Sequence, residues 1–202
     1  SYSGYRLFGN VWSGVSNSVF AGNQAQAYTA GGGAQGGAYL SMDYCLIAGN
    51  QANLAGGTHN SGGLSVWGGS WGNFYQCTFV GNSAEYGSAL TVGAGSGASV
   101  DGSIVWNNPG ENALAAIQWD DNGSNLDVYH SVVQGGESGM YADDLSYIYH
   151  DGVLDMDPFF CDPVNGDFSL DVLSHAVTPW GEPMGALGYG CEGTVMASAS
   201  IL

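Results

Sequence analysis

The sequence predicts an all-β protein whose body is a parallel β-helix, a solenoid of about five coils. Three observations support this fold class: short apolar segments recur along the chain, similar residues occupy the same place in each segment, and Gly or Asn bounds each segment. One such repeat cannot bury its apolar face alone, whereas a stack of short parallel strands can.

The clearest repeat ends in an asparagine. Its five copies read SNSVFAGN, YCLIAGN, QCTFVGN, GSIVWNN and HSVVQGG, and they end at Asn23, Asn50, Asn82, Asn108 and Gly136. The spacings between these ends are 27, 32, 26 and 28 residues. An antiparallel sandwich, the alternative fold, would place turns about every 8 to 12 residues without identity between equivalent positions.

Three columns align within these segments without gaps. The first column contains Ser18, Cys45, Cys77, Ser103 and Ser131. The second, which we predict to be a core column, contains Phe20, Ile47, Phe79, Val105 and Val133. These columns are two residues apart, so they point to the same face of a strand. The third column, Asn23, Asn50, Asn82 and Asn108, is predicted to form a ladder of side-chain amides at a bend, where Asn tolerates left-handed backbone.

A second strand is predicted ahead of each Asn segment, at residues 36–40, 62–66, 87–92 and 115–119. Each coil is therefore expected to contain two short strands. We assign residues 1–150 to the β-helix and residues 151–202 to a C-terminal cap and tail of the same structural unit. The cap contains four prolines and many aspartates, which discourage the addition of another strand.

The stretches GGAYL, FAGN, IAGN and FVGN resemble the GGA(I/L) and FxxN repeats of bacterial polymorphic outer-membrane proteins and related right-handed parallel β-helix surface proteins. The match spans about residues 10 to 136 and depends on repetition, because each motif is short. The resemblance implies a right-handed helix and a secreted, extracellular or cell-surface protein.

The last 50 residues resemble the closing segment of many secreted β-helix repeat proteins, through DPFFCDPVNGDFSL and GALGYGC. The chain has Ser174-His175-Ala176 where that family usually has Ser-Pro-Cys. The resemblance therefore implies a disulfide between Cys161 and Cys191. For Cys45 and Cys77 we expect buried thiols, because parallel Cβ vectors in neighbouring coils suit a disulfide poorly.

The charge balance excludes several classes of partner. The chain contains one cationic side chain, Arg6, against 18 Asp and Glu, for a net charge of −17. Nucleic acids and anionic membranes are bound through Lys and Arg, so we expect neither as a partner. No apolar run is long enough for a membrane-spanning helix, so we also expect no membrane insertion.

Enzymatic function is not expected. A lyase acting on uronates needs cationic groups at its site, and only Arg6 is present. Glycoside hydrolysis needs two carboxylates, which makes it the main enzymatic alternative. Its candidate pairs are Asp120/Asp121, Asp143/Asp144 and Asp155/Asp157. None of these pairs recurs at matching coil positions, which favours solvated turn acids.

We expect no cofactor, with Ca²⁺ as the one candidate. The acid-rich runs 120–127 and 151–157 could supply oxygen ligands, but neither reproduces a known calcium-loop motif. The four histidines show no pairing pattern. Trp67 and Trp71 are either a sugar-stacking platform, packing at a wide loop or a contact between protomers.

The first functional hypothesis is a non-enzymatic extracellular structural or cell-surface protein that self-assembles into a filament or layer. It depends on the nearly uncharged first half of the chain, the missing lysines and the apolar tail at residues 193–202. The alternative is a carbohydrate-binding or carbohydrate-cleaving β-helix. A third reading is an adhesin stalk within a larger chain.

Overall fold

The computed structural model describes residues 4–26, 29–52, 61–85, 87–110 and 112–192. It confirms the predicted fold class, because three long sheets consist only of parallel strands and the chain passes through them in turn. We call these sheets A, B and C.

Sheet A contains six strands: β1 (Tyr5–Phe8), β5 (Gly32–Gln35), β9 (Leu64–Trp67), β12 (Leu90–Gly93), β15 (Leu114–Ile117) and β18 (Met140–Ala142). Sheet B contains six: β2 (Trp12–Ser16), β6 (Tyr39–Asp43), β10 (Trp71–Tyr75), β13 (Gly97–Asp101), β16 (Asn125–Tyr129) and β19 (Tyr147–Asp151). Sheet C contains five: β3 (Val19–Ala21), β7 (Leu46–Ala48), β11 (Thr78–Val80), β14 (Ile104–Trp106) and β17 (Val132–Val133).

Two short strands, β4 (Gln24–Ala25) and β8 (Gln51–Ala52), pair in parallel after sheet C. A single 3₁₀ turn, Gly136–Gly139, precedes β18. The closing segment forms a separate sheet of β20 (Phe160–Asp162), β21 (Asp167–Asp171) and β22 (Tyr189–Cys191).

Each coil therefore contains three main strands, and the expectation of two was wrong. The strand of sheet B lies directly before the Asn segment in the sequence, and the sequence pattern did not distinguish the two. The strand placed at residues 36–40 was also wrong. Gly32 pairs with Leu64, so the equivalent strand is β5 and residues 36–40 turn the corner into β6. That coil is 32 residues long, whereas the predicted strands at residues 36–40 and 62–66 begin only 26 residues apart. The first of them was therefore placed in the wrong register.

The core column lies in sheet C in continuous register. Phe20 pairs with Ile47, Ile47 with Phe79, Phe79 with Val105, and Val105 with Val133. The four later members are fully buried and Phe20 is partly buried. Because side chains alternate across a strand, sheets A and B contribute every second residue to the same core.

The asparagines form a hydrogen-bonded ladder along one corner. The side-chain amide of Asn23 donates to Oδ1 of Asn50 (2.8 Å), Asn50 donates to Asn82 (2.9 Å), and Asn82 donates to Asn108 (3.0 Å). The predicted backbone reason was wrong, however. The residue before each asparagine has the left-handed φ, as at Gly22 (66°). The asparagine itself supplies side-chain bonds rather than the bend.

The closing segment covers the solenoid along its side. Leu170, Ala176 and Met184 pack on the outer residues Ile104 and Val132 of sheet C. Backbone bonds reinforce this contact, since the Gly185 N–H donates to the Gly102 carbonyl (2.8 Å). A disulfide joins Cys161 to Cys191 and closes a separation of 30 residues. The segment thus shields the outer face of one sheet.

Cys45 and Cys77 are buried free thiols in successive coils. The hydrogen bond with Cys77 lowers the pKa of Cys45 to about 7. Burial raises the pKa of Cys77 well above its ordinary value. Ser103 continues this column: its Oγ accepts the Cys77 N–H (3.0 Å).

Candidate functional site

The outer face of sheet B is a broad surface on which three lines of side chains run along the solenoid. In each five-residue strand the first, third and fifth residues point outward and the second and fourth point inward, as Leu40 and Met42 do. The strands are paired without register shifts from β2 to β19. Equivalent side chains therefore lie about 4.8 Å apart from coil to coil.

The three lines differ in chemistry. The aromatic file consists of the first residues: Trp12, Tyr39, Trp71, Gly97, Asn125 and Tyr147. The middle file consists of the third residues: Gly14, Ser41, Asn73, Ser99, Asp127 and Tyr149. The acidic file consists of the fifth residues: Ser16, Asp43, Tyr75, Asp101, Tyr129 and Asp151.

The aromatic file places three rings in three consecutive coils. Trp12 is 70% exposed, and Tyr39 and Trp71 are each 37% exposed. The indole of Trp71 lies against Gly97 in the next coil, where a Cβ would meet the ring carbon Cζ3 at 2.2 Å. Only glycine leaves room for this ring position. One side of the indole is thus supported by backbone while part of the ring remains open to solvent.

Trp67 and Trp71 flank the same corner but belong to different sheets. Trp67 ends β9 of sheet A and packs edge-on against Trp119, with ring centroids 6.1 Å apart. Trp71 begins β10 of sheet B and continues the line of Trp12 and Tyr39. The structure therefore separates the pair singled out from the sequence. It groups Trp71 with two aromatics whose spacings, 27 and 32 residues, equal those of the first three asparagines.

The acidic file alternates aspartate and tyrosine. Asp43, Asp101 and Asp151 are two coils apart, about 10 Å, which keeps like charges separated. Tyr75 and Tyr129 occupy the coils between them. Desolvation, followed by the nearby Asp127 carboxylate, raises the pKa of Tyr129, so its phenol remains a neutral donor.

The closing segment forms the border of this face beside the acidic file. The ring of Trp180 contacts His130 edge-on, with centroids 5.2 Å apart. The Trp180 Nε1–H donates to Glu182 (3.2 Å). His130 in turn lies 3.2 Å from the Asp101 carboxylate, measured from Nδ1 to Oδ1. An aromatic and a carboxylate therefore flank the face at its edge.

The carboxylates proposed for hydrolysis lie in turns. Asp120 and Asp121 are exposed and have left-handed φ angles of 48° and 61° at the corner before β16. Asp143 accepts backbone N–H groups from Gln118 (2.5 Å) and Ser146 (3.1 Å). Its neighbour Asp144 is exposed.

The third pair has a similar role. Asp155 accepts the backbone N–H of Gly135 (2.8 Å), and Asp157 accepts that of Phe159 (2.8 Å). Carboxylates of this kind stabilise local turns, which agrees with the reading of these acids as turn residues. Across residues 4–192, leaving aside the gaps in the description, no three His, Cys, Asp or Glu side chains come together as a potential metal site.

The remaining candidates are distributed over the surface. His150 lies 3.4 Å from Glu137, measured from Nε2 to Oε1. Asn122, the acceptor of the Asn-Gly-Ser sequon, is exposed at a turn. Arg6 lies outward on β1 of sheet A, where it donates to Gln35 (2.5 Å). His59 and the tail at residues 193–202 lie outside the described residues.

Comparison with known proteins adds no relative. No protein-family model, curated protein or solved structure matches this chain. Within the described residues, no helix is long and apolar enough to cross a membrane.

Proposed function

We propose that this chain is a non-enzymatic extracellular β-helix that binds an extended polysaccharide on the outer face of sheet B. The observation that carries the proposal is the aromatic file, with Trp12, Tyr39 and Trp71 in three consecutive coils. Aromatic rings offer an apolar surface for the apolar faces of sugar rings, and their polar edges accept or donate hydrogen bonds.

The middle file supplies the polar half of such a site. Ser41, Asn73 and Ser99 lie beside the aromatic file in successive coils and are partly exposed. Their hydroxyl and amide groups can both donate to and accept from sugar hydroxyls. A straight array with one polar and one apolar line suits a linear polymer that lies along the solenoid axis.

Three further features support an extracellular, non-catalytic role. The Cys161–Cys191 disulfide is typical of secreted proteins, which fold in oxidising compartments. The resemblance to the repeats of polymorphic outer-membrane proteins agrees with a place at the cell surface. Among the carboxylates considered for hydrolysis, Asp143, Asp155 and Asp157 accept backbone N–H groups in turns, and these contacts account for them without catalysis.

The test is a glycan array followed by affinity electrophoresis in gels that contain each bound polysaccharide. Trp71→Ala is expected to weaken binding about two- to twelvefold, because one aromatic contact contributes about 0.5–1.5 kcal/mol. Trp119→Ala is the matched control, since this Trp is 46% exposed but packs against Trp67 at the neighbouring corner. Reducing-sugar assays are expected to show no release.

Three results would contradict the proposal: no glycan binds, Trp71→Ala binds as well as the unaltered chain, or bound polysaccharide is cleaved.

The ends of the solenoid favour a second function, assembly of copies end to end. In the described part of the chain, β1, β2 and β3 each pair along one edge only. The inward residues Leu7 and Val15 of the first coil and Ile148 of the last are only partly buried. Both ends thus present apolar side chains, and both present unpaired strand edges, because β18 and β19 are also terminal strands of their sheets.

Continuing the strand register from one copy to the next would set β1 on β18 and β2 on β19. Arg6 would then lie beside Tyr141 and close to Asp143, and Trp12 would lie over Tyr147. The one cationic side chain of the chain would meet the acidic end of its neighbour. We therefore propose that the first coil of one copy binds the last coil of a second copy, which gives a head-to-tail filament.

A further inference from the structure

The charge on the outer face of sheet B indicates which class of polysaccharide it would bind. The outward residues include Asp43, Asp101, Asp127 and Asp151, and no Lys or Arg. The histidine at its border, His130, lies against Asp101. Uronate or sulfate groups on a polymer would be repelled by this arrangement, whereas protonated amines would be attracted.

We propose that this face selects a cationic amino-sugar polymer, a β-1,4-linked glucosamine chain, over neutral and acidic glycans. This inference rests on the proposed polysaccharide binding and deepens it by naming the ligand class. A chain that lies over the middle file, about 7 Å from the file on either side, contacts the aromatic file with one edge and the acidic file with the other, where the carboxylates recognise the amines.

The spacing of the acidic file supports this ligand. Asp43, Asp101 and Asp151 occur in every second coil, about 10 Å apart, with Tyr75 and Tyr129 between them. In an extended β-1,4-linked chain, successive sugars are turned over relative to each other, so equivalent groups on one edge recur every second sugar. Amines along that edge can therefore meet successive aspartates while the intervening sugars meet tyrosine hydroxyls.

The experiment compares calorimetric titrations of glucosamine and N-acetylglucosamine hexamers. The titrations are carried out at about pH 5, where the sugar amines are protonated. We expect the glucosamine hexamer to bind at least about tenfold more tightly. The Asp43→Asn/Asp101→Asn variant is expected to lose about three- to tenfold of that affinity, as for two exposed charge pairs, with less than about twofold loss for the acetylated hexamer.

The matched control is Asp162→Asn/Glu192→Gln, which removes the same charge from exposed positions of the closing segment. If the control loses as much affinity as the variant of the acidic file, the attraction is nonspecific and the inference is overturned. Equal binding of hexalysine by the unaltered chain overturns the choice of a glycan. Equal binding of the two sugar hexamers, still weakened by Trp71→Ala, overturns the amino-sugar selectivity and leaves the proposed function standing. If neither hexamer nor any other glycan binds, both proposals fail.

Discussion

At the scale of single residues, an asparagine of the ladder does more than bond to the asparagines above and below it, because its side chain also binds backbone groups. Asn82 is fully buried, and both polar atoms of its side chain are paired. Its Oδ1 accepts the backbone N–H (3.1 Å) and the side-chain amide of Asn50, while its own amide donates to the Ile47 carbonyl (2.8 Å) and to Asn108. The side chain thus completes hydrogen bonds at a corner where the sheets cannot supply them.

We predict that Asn82→Ala lowers the free energy of unfolding by about 2–4 kcal/mol, because it leaves several buried polar groups without partners. Urea denaturation followed by tryptophan fluorescence measures this change. Asn165→Ala is the control, since Asn165 is exposed in a turn where it bonds Asp162, and its loss should cost less than about 1 kcal/mol. Similar losses for the two variants would show that the ladder is not a major source of stability.

At the scale of elements, the sequence predicted the parts of each coil where chemical identity repeats. The core column keeps a large apolar residue and the ladder keeps an asparagine at a fixed offset, and that offset survives the change in coil length from 27 to 32 residues. Sheet B has no such constancy. Its outward files mix aromatic, amide and acidic residues, and one inward position varies from Leu40 to Gly72 to Ala98 in successive coils. Its strands therefore had to be found in three dimensions.

The same reason explains what could be predicted of the candidate site. Trp12, Tyr39 and Trp71 follow the asparagine spacing, so the repeat could have identified them as one line. In the next two coils this position is occupied by Gly97 and Asn125, so a search for identical residues does not find the line. The aspartates of the acidic file alternate with tyrosines, so their period is two coils and no single-coil alignment reveals it.

The disulfide affects one element in particular. Its loop of 30 residues corresponds to about 3.6 kcal/mol in the chain-entropy account. We predict that Cys161→Ser/Cys191→Ser destabilises the closing segment, so that amide hydrogen exchange accelerates in β20 to β22 while sheets A and B stay protected. Cys45→Ser is the control, because serine already occupies the equivalent positions 103 and 131. Unchanged exchange in β20 to β22 would show that side-chain packing alone holds the segment.

At the scale of the whole molecule, sheet C and sheet B have different surroundings. The closing segment covers much of the outer face of sheet C, with Phe160 and Phe168 packed near Leu46 and Val80. The outer face of sheet B is left open to solvent, and Trp180 of the segment lies at its border against His130. Within the described residues, this arrangement leaves one broad side of the solenoid open, where the proposed ligand would bind.

End-to-end assembly can be tested at the free edge of the first coil. Val19 begins β3 and is 64% exposed, and a lysine on an edge strand opposes pairing with another strand because its charge would be desolvated. We predict that the unaltered chain associates as its concentration rises and that Val19→Lys weakens this association by at least about tenfold.

Val164→Lys, at a 92% exposed position of the closing segment, makes the same charge change away from the ends. Sedimentation velocity over a range of concentrations, with negative-stain images of the most concentrated samples, measures the outcome. Dispersed monomers of the unaltered chain throughout, or equal effects of the two lysine variants, would rule out assembly through the first coil.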